Sequence, residues 1–257
     1  MSTDVSVGRL RSARWGAAAG VFFAVATIVG NELADKGDAA GDGAATALAN
    51  VRRHHGLLNH VGIGLEILGF VALMFFAGYL YRVLRRGEGQ TGWLATTALI
   101  AAATDLGVKL GSGASLAAAY YHPADLTPEM ARILLDLNDA AFVITGITMA
   151  AFVLAVSASA YASRVLPRTL VWFGFVLGVL GLASPILSIL DPNGYNPLPY
   201  LVGLLWVAAV GIARVVMDSR AGRAVTPTAP VAGGSSERSS AECADRAVSR
   251  AGTVRRL

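Results

Sequence analysis

Three ionisable residues interrupt otherwise apolar runs of this chain: Glu66, Asp105 and Lys109. A charge at such a place is costly. It is tolerated where it faces a partner or a water-filled cavity, and there it marks a candidate for binding or proton transfer. Asp105 and Lys109 are one helical turn apart. Ser112 continues their stripe, with Ala98, Ala101 and Ala102 below it. The formal charges of the three sum to −1, so neutrality calls for a proton or a cation. The chain has nineteen arginines and only two lysines, Lys36 and Lys109, yet its innermost basic residue is a lysine. Lysine is the cation whose proton affinity responds more readily to burial.

Two chemistries suit these residues. A polar site of this kind takes up a proton, an ion, a lipid headgroup or a small solute. Alternatively Glu66, Asp105 and Asp139, as acids within the apolar phase, can protonate an isoprenoid or lipid substrate. The bland alternative is an internal ion cluster that fixes helix register. The candidate ligand or ion residues are therefore Glu66, Asp105, Lys109, Asp139 and Ser112.

The elements that carry them follow from composition. Of 257 residues 54% are hydrophobic and 15% are charged, and the mean hydropathy is +0.56. Soluble domains are nearer a quarter charged. About 20 apolar residues span a bilayer core as helix. Six segments qualify, at 15–30, 57–81, 93–119, 138–162, 170–190 and 198–217. Apolar runs of this length satisfy their backbone as helices, and none shows the alternation of a barrel strand. The expected fold is all-α, a polytopic bundle of six transmembrane helices. It is flanked by an N-terminal segment at 1–14 and a polar, disordered tail at 218–257.

Charge bias gives the orientation. Arg9, Arg11, Arg14, Arg82, Arg85, Arg86, Arg164, Arg168, Arg214, Arg220 and Arg223 fall on one side. Lys36, Arg52, Arg53 and Arg132 fall on the other. Both termini are expected in the cytoplasm of a bacterial cell, with the bundle in its inner membrane. Arg14, the first apolar run and Ala24-Val25-Ala26 also resemble a cleavable signal. The run continues past that cut, however, and its removal would leave an odd number of spans.

At about 1.5 Å per residue, Glu66 stands roughly 24 Å above Arg82. Asp105 and Lys109 stand roughly 18 Å and 24 Å above Trp93 by the same measure. Glu66 and Lys109 are thus expected at one level, as partners, in the outer half. Asn59, Gly62, Glu66, Gly69 and Ala77 share a stripe of small and polar residues, as do Asp139, Gly146, Ala150 and Ser157. Membrane helices approach one another along such stripes. Gly174, Gly178, Gly181 and Ser184 form another, read as packing within the chain, and Pro185 is expected to kink that helix. Trp93, Tyr120, Tyr121, Tyr161, Trp172 and Tyr200 fall near span ends and are expected as interfacial anchors; Trp206 does not.

Outside the spans, 41–55 has the composition of a short interfacial helix. Thr127-Pro128-Glu129 is a helix start, and 191–197 reads as a turn. His54, His55, His60 and His122 share the outer side with Asp35, Asp38, Asp42, Asp125 and Glu129, but no spacing there is diagnostic of metal. No metal, cofactor or nucleic-acid partner is expected. The bilayer itself is the expected partner. Cys243 is the only cysteine, which excludes an intramolecular disulfide. No Walker sequence, zinc motif, nucleophile elbow or aspartate-rich diphosphate motif occurs.

Ser163-Arg164-Val165-Leu166-Pro167-Arg168, with Trp172 and Gly174 after it, resembles a pattern in a family of small bacterial membrane proteins of six or seven helices. That family is classed only as a domain of unknown function. The resemblance extends over roughly 15–217 through span count and spacing. It implies the architecture and carries no catalytic or binding residue. Three functions stay open: transport or ligand sensing through the polar site, catalysis on an isoprenoid or lipid, and a scaffold role. A wet cavity open to the outside would favour the first, and an apolar one opening sideways to lipid would favour the second.

Overall fold

Each uncharged run folds as helix, because a backbone without water satisfies its polar groups within one segment only as a helix. A computed structural model describes residues 3–34, 43–54, 56–89, 91–190 and 197–224, with side chains for 13–34, 43–54, 56–89, 91–187 and 197–220. Asp35, Lys36, Asp38, Asp42, His55, most of the 191–197 turn and the tail from residue 225 lie outside the described residues.

Seven helices are described: α1 (Thr3–Leu33), α2 (Ala44–His54), α3 (Leu57–Glu88), α4 (Trp93–Tyr121), α5 (Pro128–Ser163), α6 (Arg168–Leu190) and α7 (Leu198–Ala224). All but α2 are long and apolar enough to cross a membrane. The protein is an all-α multi-pass membrane bundle. Real helix ends overrun the apolar runs. The arginines of 82–86 are still helical in α3, α7 continues through the polar residues to Ala224, and α5 starts ten residues before its apolar run. That start is the expected one: Thr127 Oγ1 accepts the Met130 amide at 3.3 Å, with Pro128 in the first turn.

Small residues set the helix contacts, since lipid offers no hydrophobic gain for bringing apolar helices together. At the α1–α3 crossing two backbones touch. A Cβ on Gly62 would stand 2.6 Å from the Ala34 amide and 2.7 Å from the Gly30 carbonyl. The Gly174 stripe of α6 faces inward: Gly174 meets Ser157 of α5 and Trp206 of α7, and Gly178 and Gly181 meet Leu154 and Ala150. Pro185 lies inside α6 against Gly146.

Two apolar clusters result. The larger fills the arginine-rich end with side chains such as Phe76, Leu80, Leu84, Phe152, Val156 and Trp206. The smaller caps the opposite end. There α2 lays Ala47 and Val51 onto Ile63, Leu116, Tyr120 and Leu135. Arg52 Nε of α2 donates to the Pro123 carbonyl at 3.2 Å and holds this cap on the α4–α5 connection.

The arginine-rich end is tied by polar contacts. Arg214 was expected to open a solvated tail; instead it is mostly buried. It donates to Tyr79 Oη (3.0 Å), the Val165 carbonyl (3.2 Å) and Asp218 Oδ1 (2.6 Å), while Tyr79 Oη donates to Asp218 Oδ2 (2.6 Å). Glu88 accepts from the Leu94 amide and from Ser159 Oγ, linking α3, α4 and α5. The motif at 163–168 is the joint between α5 and α6. Arg164 ends α5 with φ 55° in the left-handed region, Leu166 is buried, and the Pro167 carbonyl accepts the Val171 amide.

Of the expected anchors, Trp93, Tyr121, Tyr161 and Trp172 are exposed, whereas Tyr120 and Tyr200 are buried. Tyr120 belongs to the smaller cluster and Tyr200 to the larger. Nearness to a span end does not tell which way a ring points.

With six spans both ends of the span region lie on one side, and from the charge bias that side is expected to be cytoplasmic. Reporter fusions after Arg86 and Arg168 are expected to read cytoplasmic, and fusions near Asp38 and Pro192 extracytoplasmic. An extracytoplasmic signal after Arg168 would overturn this orientation.

Candidate functional site

Between the two apolar clusters lies a polar layer. Helix periodicity puts Asp105, Lys109 and Ser112 on one face of α4, and all three are buried. Asp105 is 1% exposed and Lys109 5%. Asp105 Oδ1 accepts from Thr148 Oγ1 of α5 at 2.6 Å; its other oxygen is buried with no hydrogen-bond partner. Lys109 Nζ stands over two rings, 4.1 Å from the Phe142 centroid and 5.1 Å from that of Tyr200. Desolvated ammonium groups gain from ring faces at such distances. Ser112 Oγ donates to Asn138 Oδ1 of α5 at 3.2 Å.

Glu66 is partly buried on α3. It lines, together with Lys109, Ser112 and Asn138, a cavity of about 190 Å³ between α3, α4 and α5. The level estimate from the sequence therefore brings Glu66 and Lys109 to one cavity. No salt bridge joins the two side chains; among the described residues such bridges link Arg132 to Asp136 and Arg214 to Asp218. The nearest formal charge along Lys109's own helix face is Asp105, one turn away.

The rest of the lining is apolar. Phe70 borders the larger cluster, and Ile63 and Leu116 border the smaller. Ile67 and Leu110 form the remaining side and are 44% and 46% exposed, facing outward between α3 and α4. The cavity is thus closed along the bundle axis in both directions and open sideways.

A second void of about 20 Å³ adjoins Glu66 on its other side. Thr27, Asn31 and Glu32 of α1 line it, with Phe142 and Tyr200 as its far wall.

Asp139 is a correction. The stripe drawn through Gly146 and Ala150 put it inside, but it is exposed and Asn138 takes the inward place. The buried face of α5 runs through Leu135, Asn138, Ala141 and Thr145, about 100° around the helix from Asp139. Asn138 donates weakly to Asp139 at 3.4 Å. Sequence reasoning missed Thr148, Asn138, Phe142 and Tyr200 as members of this layer. Among the described residues no three His, Cys, Asp or Glu side chains gather in a metal-holding group. His54 and His60 each bond a carbonyl one turn back, those of Asn50 and Gly56.

Comparison with known proteins gives one family. A family model described as Domain of unknown function (DUF4386) matches residues 16–217, a stretch that includes every residue of both cavities. No curated protein and no solved structure matches the chain.

Proposed function

We propose a function on one premise: the chain belongs to the DUF4386 family, a domain of unknown function, and is itself a multi-pass membrane protein. It binds the polar head of an amphiphile dissolved in the bilayer, which enters sideways between α3 and α4, and it acts as a ligand-sensing or ligand-holding protein of the bacterial inner membrane. The observation that carries this reading is the shape of the 190 Å³ cavity. Its floor offers Lys109, Ser112, Asn138 and Glu66; its mouth is apolar and turned to lipid. Pockets that enclose a whole drug-sized molecule run to 300–1,000 Å³. This one suits a head group, with the tail left in the bilayer.

Conduction across the membrane is less well supported. The arginine-rich half is packed, among the described residues, by apolar side chains such as Phe76, Leu80, Phe152 and Trp206. Catalysis by paired acids is also less well supported, because Asp105 is absent from the cavity lining and Asp139 faces away.

The test blocks the mouth. A Cβ on Gly113, which lines the cavity, meets nothing within 4 Å, so Gly113→Leu is expected to narrow the opening, and its first carbon breaks no helix contact. Native mass spectrometry of protein extracted into mild detergent is expected to show a co-purifying amphiphile on the parent chain. Occupancy should fall at least tenfold in Gly113→Leu. Equal occupancy in the two, or none in the parent chain, would overturn the reading.

A further inference from the structure

The joint between α5 and α6 carries positive charge that its surroundings leave unanswered. The end of α3 rests on the end of α5, where a Cβ on Gly87 would overlap the Ser163 side chain. That contact brings Arg86 and Arg164, the chain neighbours of Gly87 and Ser163, to one corner, and Arg168 opens α6 just beyond it. All three arginines are exposed. The described carboxylates of this end are already engaged. Glu88 accepts from the Leu94 amide and Ser159 Oγ, and Asp218 accepts from Arg214 and Tyr79. Among the described residues no salt bridge includes Arg86, Arg164 or Arg168. Below this corner the surface turns aromatic. Trp172 follows Arg168 by one turn on the same face, about 6 Å further into the span. It packs with Tyr161 of α5 and with Phe175: the ring centroids are 6.0 Å apart for Tyr161–Trp172, 6.4 Å for Tyr161–Phe175 and 5.7 Å for Trp172–Phe175. Trp172 and Tyr161 nevertheless stay exposed, and so do Val176 and Val179 deeper on α6.

We propose that this corner is a docking site for one anionic phospholipid of the leaflet at the arginine-rich end. Guanidinium groups pair with phosphate oxygens two at a time, which makes arginine the cation suited to a phosphodiester. Charge selects the class of lipid. A zwitterionic head brings its own cation, whereas an arginine corner with no carboxylate to spare favours a head of net negative charge. The layering fits the same occupant. The phosphate lies at the level of Arg164 and Arg168, and the Tyr161 and Trp172 rings lie just beneath, where amphipathic rings sit in a bilayer. The acyl chain runs on along Val176 and Val179. The three rings hold one another without a ligand, so little ordering is lost when the lipid docks. The segment from Ser163 to Arg168 thereby has a second role beside turning the chain. Its left-handed Arg164 and its Pro167 set both arginines at the rim of the α5–α6 groove.

The site shares no residue with the lateral cavity and stands apart from the amphiphile reading. The experiment is native mass spectrometry of the purified full chain, titrated with phosphatidylglycerol or with phosphatidylcholine of identical acyl chains. One phosphatidylglycerol is expected to be retained in clear preference to phosphatidylcholine. Arg164→Gln and Arg168→Gln are each expected to lower its affinity about fivefold, the worth of one arginine near an anionic surface. Trp172→Ala is expected to weaken it as well. Arg220→Gln is the control: it removes the same charge from an exposed place further along α7, and it is expected to change the affinity by less than about twofold. Soluble glycerol phosphate is expected not to displace the lipid. Equal retention of phosphatidylcholine would overturn the site. So would an Arg220→Gln effect as large as that of Arg168→Gln, which would mark diffuse attraction to the whole basic end. Displacement by glycerol phosphate would mark a plain anion site and overturn the lipid assignment. Binding that Gly113→Leu abolishes would belong to the lateral cavity and overturn this one.

Discussion

Replacement of Gly62 by valine is expected to leave almost no folded protein. The α1–α3 crossing brings Gly62 and Gly30 together so closely that an added Cβ meets backbone: the Ala34 amide at 2.6 Å, the Gly30 carbonyl at 2.7 Å and the Leu33 carbonyl carbon at 2.9 Å. Backbone cannot swing aside as a side chain does. Overpacking usually costs about 1–3 kcal/mol, with larger values where nothing can shift, and this substitution is placed at or above about 3 kcal/mol. Gly64→Val is the control. It lies on the same helix, and its Cβ would meet nothing within 4 Å. Size-exclusion profiles and melting in detergent distinguish the two. A Gly62→Val protein that melts like the parent would disprove the close crossing.

The second large effect concerns Lys109. Removal of one member of a buried charge set leaves the other uncompensated, at a cost of about 3–5 kcal/mol in well-buried cases. Lys109→Met is therefore expected to destabilise by about 3 kcal/mol. Asp105→Asn in the same chain is expected to restore more than half of that. Glu66→Gln is expected to restore less, with a coupling of about 1 kcal/mol or below, because Glu66 shares a cavity with Lys109 and not a salt bridge. Two double-mutant cycles on thermal stability rank the partners. A stronger coupling to Glu66 than to Asp105 would reverse the assignment.

Much of the fold was legible because the bilayer imposes a length and leaves only helices to meet it. The six spans, the Thr127 cap and the short helix before α3 could all be read from composition and spacing. Helix ends were less legible. Residues 82–88 and 218–224 are polar but still helical, since a helix outside lipid needs no apolar face to continue.

The site was legible where one helix carried it. Asp105, Lys109 and Ser112 share a face by their spacing alone, and the structure buries all three. It was illegible where rotation had to be chosen between neighbours. Asn138 and Asp139 are adjacent, either fits an inward stripe, and the tie is broken by how α5 meets α4. Thr148 gave no signal, because a membrane helix commonly bonds a hydroxyl to its own backbone; here the same Oγ1 also reaches the Thr145 carbonyl. Arg214 misled for a different reason. An arginine at a span end reads as a topology marker; Asp218 one turn on is a local signal for its pairing, but nothing local reveals Tyr79.

The position of the polar layer also has an electrical meaning. Glu66 is the tenth residue of a 32-residue helix, counted from the end opposite the arginines. A charge that reaches it from that end has crossed about a third of the insulating thickness. Moving a unit charge through the whole thickness is worth about 2.3 kcal/mol per 100 mV. Uptake or release at this depth therefore carries about 0.7 kcal/mol per 100 mV, roughly a threefold change in occupancy. In an energised cell, with the interior negative, inward entry of a positive charge from that end is drawn forward and its escape is held back. With the arginine-rich end inside, any proton or cation that this layer takes up would be tied to the energetic state of the membrane in which it sits.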